Sequence, residues 1–140
     1  SDALVELVDL YPTLTDLAGI KPPDNLDGQS FRHVLDDPSA GGRDAVLSQF
    51  NRPWDSTTPQ AMGYSIRTSS KRYTRWIDWQ TRRVLSEELY VYSPKTNSRE
   101  FSGNRFEHEN IAQTQPEELQ TMSEHMDKMF AKRLGVTVHP

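Results

Sequence analysis

The chain has 140 residues, 16 Lys and Arg against 20 Asp and Glu, a formal charge of −4, and no cysteine. These values exclude a disulfide framework, a thiolate metal site and a cysteine nucleophile, and the length suits one domain or a large piece of a bigger one. No apolar run approaches the roughly 20 residues that span a bilayer, no signal-peptide pattern opens the chain, and a negative balance without a binding motif speaks against nucleic acid.

Leu, Ile, Val and Phe make up about 21% of the residues, close to the ~20% level below which chains tend to disorder. Three Trp and five Tyr add packing material, so a folded chain with a modest core is expected. Its apolar faces are then expected to meet more protein. Ser1 already stands inside an amphipathic pattern, which reads as part of a larger molecule.

From Asp2 to Ile20, Leu4, Leu7, Val8, Tyr11, Leu14 and Ala18 recur at three- and four-residue steps, the spacing of a helical face. Asp2 is the expected N-cap and Gly19 the stop. Pro12 should kink this segment or split it into two short helices, because it lacks an N–H and crowds the preceding turn. Lys21 to Gly42 is rich in Pro, Gly and Asp and reads as loop; Phe31, Val34 and Leu35 predict a single helical turn within it.

After Arg43 the period changes. Ala45–Phe50 reads as a strand and Asn51–Gln60, with Pro53 and Pro59, as a loop. Met62–Thr68 and Arg72–Trp79 are rich in aromatic and β-branched residues and form a predicted hairpin; Glu88–Tyr92 adds a strand that stops at Pro94. Lys95–Ala112 is polar and expected to be irregular. Pro116 opens the clearest helix, with Leu119, Met122, Met126, Met129, Phe130 and Leu134 on one face and Gly135 at its end. Thr114 and Glu117 have the spacing of a capping box. The sum is an α+β fold: about four mostly antiparallel strands with a packed C-terminal helix, preceded by a helical lead-in. The middle strands are too close in sequence for parallel crossovers.

Arg67, Lys71, Arg72, Arg75, Arg82 and Arg83 face only Asp78 in the segment Tyr64–Arg83, with Tyr73, Trp76 and Trp79 interleaved. Glu100–Asp127 is correspondingly acidic. Two readings follow: a hairpin that holds a polyanion, or a strand face whose charges pair with the acidic segment. His33, His108, His125 and His139 are scattered, and Glu107-His108-Glu109 has three consecutive side chains that do not readily converge on one ion, so no metal site is expected in this chain. No phosphate loop, nucleophile elbow or Ser/His/Asp arrangement stands out.

The strings LVELVDLYPTLTDLAGI (Leu4–Ile20), LDGQSF (Leu26–Phe31), LSQF (Leu47–Phe50), MGYSIRT (Met62–Thr68), RYTRW (Arg72–Trp76), EELY (Glu87–Tyr90) and ENIA (Glu109–Ala112) fall in the order found at the C-terminal end of type I sulfatases. SQF-x-RP, MGYSIRT and RYTRW together resemble the iduronate-2-sulfatase branch of that family.

The resemblance implies an alkaline-phosphatase-like enzyme of two parts. Residues 1–42 would belong to the edge of a large catalytic domain and 43–140 to a small C-terminal subdomain with a four-stranded sheet and a helix. In that family a formylglycine, made in a Cys/Ser-x-Pro/Ala-x-Arg motif, attacks the sulfate ester beside a calcium ion held by Asp and Asn. No such motif is present: Ser93-Pro94 has Lys95 and Asn97 where the pattern needs Pro or Ala and Arg. No catalytic residue is therefore carried over, and calcium is expected in the N-terminal domain only.

The implied partners are that domain and a sulfated glycan, with self-association of the helical stripe if its partner is missing. The parent would be secreted, periplasmic or lysosomal, although the compartment is not legible in these residues. A noncatalytic glycan-binding or subunit-interaction module is the alternative, and a phosphatase or phosphonate hydrolase of the same superfamily explains MGYSIRT less well.

On this reading Arg52 and Trp54 are the candidates for touching the sugar at the cleft mouth. Arg offers a planar fork of donors to carboxylate or sulfate, and Trp an apolar face to the ring's C–H surface. Pro53 and Pro59 restrict the loop that presents them. The competing expectation is that Trp54 caps the sheet and Arg52 pairs with Asp55 or another acid.

Overall fold

The computed structural model describes residues 1–55, 57–92 and 107–134. The expectations for 93–106, for Gly135 and His139, and for the side chain of Leu134 fall outside the described residues. The chain forms two compact units, Ser1–Val46 and Leu47–Pro140.

In the first unit a 3-10 turn, Leu7–Asp9, runs directly into α1, Leu10–Leu17. The helix starts later than Asp2: residues 1–6 have no helical structure, Glu6 is extended, and Leu4 accepts a hydrogen bond from the backbone N–H of Arg43. The segment is two abutting short helices, as expected, but Pro12 lies inside the second of them and not at their junction. It is the third residue of the helix, where the backbone N–H would have no intrahelical partner anyway. At the other end Gly19 adopts φ +66°, and the N–H groups of Gly19 and Ile20 reach back to Asp16 and Thr15, the double bond of a Schellman cap. A short α2, Arg32–Asp36, supplies the expected single turn and buries Val34.

Asp9 organises this unit. It is 1% exposed, and its carboxylate accepts from the Arg43 guanidinium through both oxygens and from the backbone N–H groups of Glu6 and Gln29, each at 2.9 Å. Burial opposes the charge, but Arg43 and the two amides outweigh it and hold the carboxyl at about 2. The LDGQSF string thus has a structural role. Its Gly28 lies where a Cβ would sit 2.0 Å from the Val8 carbonyl oxygen, and this approach lets Gln29 reach Asp9 and the Phe31 N–H reach the Thr13 hydroxyl.

The second unit holds a sheet in the order β1-β2-β3-β4, where β1 is Ala45–Arg52, β2 Ala61–Thr68, β3 Lys71–Asp78 and β4 Val84–Val91. β2 and β3 are antiparallel, as are β3 and β4. The last helix, α3, spans Pro116–Leu134 and packs on β2 and β3.

Strand alternation sends Met62, Tyr64, Ile66, Tyr73, Ile77 and Leu89 to the helix side, where Met122, Met126 and Phe130 cover them. Ile66, Tyr73 and Leu89 stand in one cross-strand row and are all 0% exposed. The Phe130 ring meets Tyr64 edge-on at 5.1 Å. Asn110 of ENIA accepts from the N–H of Leu89, and the next residue, Ile111, donates to the Leu89 carbonyl; β4's outer edge is thereby partly closed. In place of the expected capping box, the Thr114 hydroxyl donates back to the Ile111 carbonyl.

Candidate functional site

The charges of the β2–β4 region resolve first, because they decide which cations face outward. Arg75 is 3% exposed and donates to Asp127 at 2.9 Å, to the Tyr73 hydroxyl at 2.9 Å and to Ser123. Burial works against its charge, yet Asp127 and Tyr73 more than offset this and raise its pKa. Lys71 pairs with Glu118 and Arg72 with Glu107. Half of the basic cluster therefore joins the acidic segment, as the charge-pairing reading expected. Arg67 lies over the Tyr92 ring at 4.8 Å and Arg82 over Trp79 at 4.2 Å.

Arg52 ends β1 rather than lying within the following loop. Its guanidinium sits 5.0 Å from the Phe50 ring centre and 5.6 Å from that of Trp76, a cation–π arrangement in which no ion pair to Arg52 occurs among the described residues. Trp76 is itself fixed. Its indole N–H donates to Glu88 at 2.9 Å, and its ring lies over Gly63, where an added Cβ would meet it at 2.7 Å. A larger residue at 63 would displace the ring on which Arg52 rests. This explains the glycine in MGYSIRT.

Trp54 is 72% exposed. It does not cap the sheet, and among the described residues no ion pair joins Arg52 to Asp55. The Asn51 amide donates to the carbonyls of Pro53 and Trp54 at 3.1 and 3.4 Å, and the Arg52–Pro53 peptide is cis. The loop closes where the Gln60 N–H donates to the Arg52 carbonyl and the Trp79 N–H to the Gln60 carbonyl, each at 2.8 Å. Arg52, Gln60 and Trp79 thus stand side by side at one end of the sheet.

Next to them a depression of about 760 Å³ is lined by Thr57, Thr58, Pro59, Gln60, Asp78, Trp79 and Gln80. Sequence reasoning named the aromatic interleaving of β3 but not the support that Trp76 gives Arg52. The signal was the alternation in RYTRW, which puts Arg72, Thr74 and Trp76 on the side away from α3. Among the described residues no three His, Asp or Glu side chains converge as a metal site, and no helix is long and apolar enough to cross a membrane.

Comparison with known proteins points one way. No protein-family model matches the chain. It is 34% identical to iduronate 2-sulfatase of Homo sapiens over 113 aligned positions, covering 59% of this chain and 20% of that protein. It is 34% identical to arylsulfatase K of Mus musculus over 82 positions, covering 54% of this chain and 14% of that protein. The matched stretch therefore spans about a fifth or less of these relatives. Among solved structures, a 2-O GAG sulfatase superposes with a TM-score of 0.65 at 23% identity over 89% of this chain and 24% of its own. A protein of glycosaminoglycan metabolism in Bacteroides thetaiotaomicron superposes with a TM-score of 0.68 at 18% identity, over 93% of this chain and 27% of its own. These structures share the fold.

Proposed function

From a chain that is a partial, C-terminal region of the type I sulfatase family, similar to iduronate 2-sulfatase, we propose a segment of a sulfuric ester hydrolase acting on a sulfated uronic acid or related glycan. It completes the fold and supplies one wall of the substrate cleft. The observation that carries this reading is the Arg52 guanidinium, held over two rings beside an exposed Trp54. A fork fixed in this way loses little rotamer freedom when a sulfate or carboxylate docks. The names of the relatives, which include a 2-O GAG sulfatase, support the substrate class.

The formylglycine and calcium would belong to the rest of the enzyme. The described residues offer no converging donor set for that ion. Leu7, Tyr11 and Leu14, which are 85%, 52% and 64% exposed, form the face that the large domain would cover. The 140-residue chain alone is expected to be inactive, because the barrier reduction of roughly 8–23 kcal/mol that enzymes supply has no source in it. Turnover of an aryl sulfate by the purified chain, at a rate proportional to its concentration and absent from a mock preparation, would overturn this.

The test of the cleft role is Arg52→Ala in the complete enzyme. Loss of the guanidinium should lower kcat/KM about ten-fold or more on a sulfated uronic-acid disaccharide and leave a small aryl sulfate within about two-fold. Equal losses on both substrates, or a fall in Tm that accounts for them, would make Arg52 structural only.

A further inference from the structure

On the sheet face away from α3 the support given to Arg52 is repeated. Arg52 rests on the Trp76 ring, and the Trp76 indole N–H is tied to Glu88. Arg67 is exposed and rests on the Tyr92 ring at 4.8 Å. Tyr92 is tied in turn: its hydroxyl accepts from Arg72 at 3.0 Å and donates to Glu107, which also meets Arg72 at 2.6 Å. Glu107 holds this place with φ +56°, and non-glycine residues at positive φ are uncommon and gather where function demands a fixed arrangement. Among the described residues neither Arg52 nor Arg67 has an ion pair.

Strand register puts both cations on one face. Gly63, Ser65 and Arg67 of β2 stand opposite Trp76, Thr74 and Arg72 of β3, and residues two apart on a strand point the same way. The Trp76 ring that supports Arg52 covers Gly63. Arg67 follows four positions further along β2, about 13 Å away. The ground between them is low and polar, since it holds the glycine and then the Ser65 and Thr74 hydroxyls, bonded to each other at 3.0 Å.

Charge along this path is positive. Arg72 offsets Glu107. Between Arg52 and Arg67 the strands bear one carboxylate on this face, Glu88, and its oxygens accept from the Trp76 indole N–H at 2.9 Å and the Tyr90 hydroxyl at 3.0 Å. Asp78 lies past Trp76, away from Arg67, and is engaged by the N–H groups of its own turn. Two presented guanidinium forks therefore face one occupied carboxylate. A chain that carries two anionic groups can meet both forks, and the second contact, made within one complex, adds affinity without a second association cost.

We propose that Arg67 is a second anion-binding position, which takes an internal sulfate of the same glycan chain whose reacting end meets Arg52, with the chain lying over Ser65 and Thr74. The enzyme then selects for internal sulfation as well as for the group it removes. The inference rests on the proposed function, since it needs a saccharide at Arg52.

The experiment uses the complete enzyme and four probes: an aryl sulfate, a disaccharide sulfated only on its terminal uronate, and two tetrasaccharides with that same terminus, one sulfated internally and one not. Wild type should have the lower KM for the internally sulfated tetrasaccharide. Arg67→Gln removes the charge and should raise that KM about ten-fold, with kcat and the other three substrates within about two-fold of wild type. Ser65→Asp places a carboxylate on the path and should raise KM for both tetrasaccharides, because either must cross it, while sparing the two smaller probes. Equal wild-type KM values for the two tetrasaccharides, or an unchanged KM in Arg67→Gln, overturn the second position and leave the Arg52 reading intact. Equal losses on all four probes with a lowered Tm make Arg67 a structural contact and overturn it as well. A wild-type enzyme that cleaves the aryl sulfate but no saccharide overturns the proposed function and this position together.

Discussion

On the helix side of the sheet Arg75 is 3% exposed and surrounded by Asp127, Ser123 and Tyr73, whereas on the other side Arg52 and Arg67 stay exposed and lie over aromatic rings. The same residue type is a core component in one place and a presented donor in the other. What differs is the partner. A buried guanidinium needs a carboxylate, because leaving water costs several kcal/mol per ion unless a counter-charge and hydrogen bonds replace it. An exposed one keeps its hydration and needs only a surface that limits its rotamers. The first arrangement makes the fold specific, and the second leaves hydrogen-bonding capacity for a ligand.

The largest effect should come from breaking the buried pair. Asp127→Ala leaves Arg75 charged inside the helix–sheet interface, and urea unfolding should show a loss of about 3–5 kcal/mol with an unchanged m-value. The double variant Arg75→Met, Asp127→Leu replaces both charges with apolar volume and should regain most of that loss. If Asp127→Ala cost under about 1 kcal/mol, the helix side would be as wet as the other and the contrast would fail.

Alkaline titration probes the same interior. Burial and the hydrogen bond to Glu87 raise the Tyr73 phenol from 10.0 to about 12. A raised pKa means that the folded state holds the proton more tightly, so the contribution is complete below pH 10 and is lost as pH climbs to 12. That loss is about 2–3 kcal/mol. On the other side of the sheet Tyr90 is also raised to about 12, by burial and by Glu88. Tyr73→Phe should therefore remove part of the slope of stability against pH between 10 and 12 and leave the Tyr90 part. An identical slope in the variant would show that Tyr73 ionises freely.

The sequence patterns located the elements better than they located these charges. Met122, Met126 and Phe130 recur at helical spacing, and all three are buried in α3 as that spacing requires. Asp127 sits beside Met126 on the same covered face, but a carboxylate there reads as solvated until its partner on another element is known. The partner, Arg75, lies 52 positions away, beyond the reach of any local pattern. Asp9 and Arg43 repeat the case in the first unit at a separation of 34. The retrospective clue is an Arg between Tyr73 and Ile77 on one strand face, since a charge within an apolar alternation must be paired to be buried.

Strand β4 begins at Val84 rather than Glu88: pairing with β3 through an irregularity at Trp76/Ile77 takes in Val84, Leu85, Ser86 and Glu87, whose order shows no apolar–polar alternation. At the candidate site, Arg52 and Trp54 were legible as residue types. The rings of Phe50 and Trp76 beneath Arg52 required the strand order.

The smallest expected effect sharpens the contrast within one face. Lys71 and Glu118 form an ion pair between β3 and α3, as Arg75 and Asp127 do, but their side chains are 27% and 44% exposed against 4% and 9%. Both pairs join the same strand to the same helix, so topology and chain entropy are nearly matched and burial is the main variable. In the exposed pair water already solvates each charge, salt screens the attraction over roughly 8–10 Å, and two long side chains must be ordered to gain it. Glu118→Gln should therefore cost under about 0.5 kcal/mol in chemical denaturation at 0.15 M salt. The same substitution should cost still less at 1 M, whereas Asp127→Ala should keep its full effect there. A Glu118→Gln loss comparable with that of Asp127→Ala would mean that charge pairing across this interface, and not burial, decides the energy.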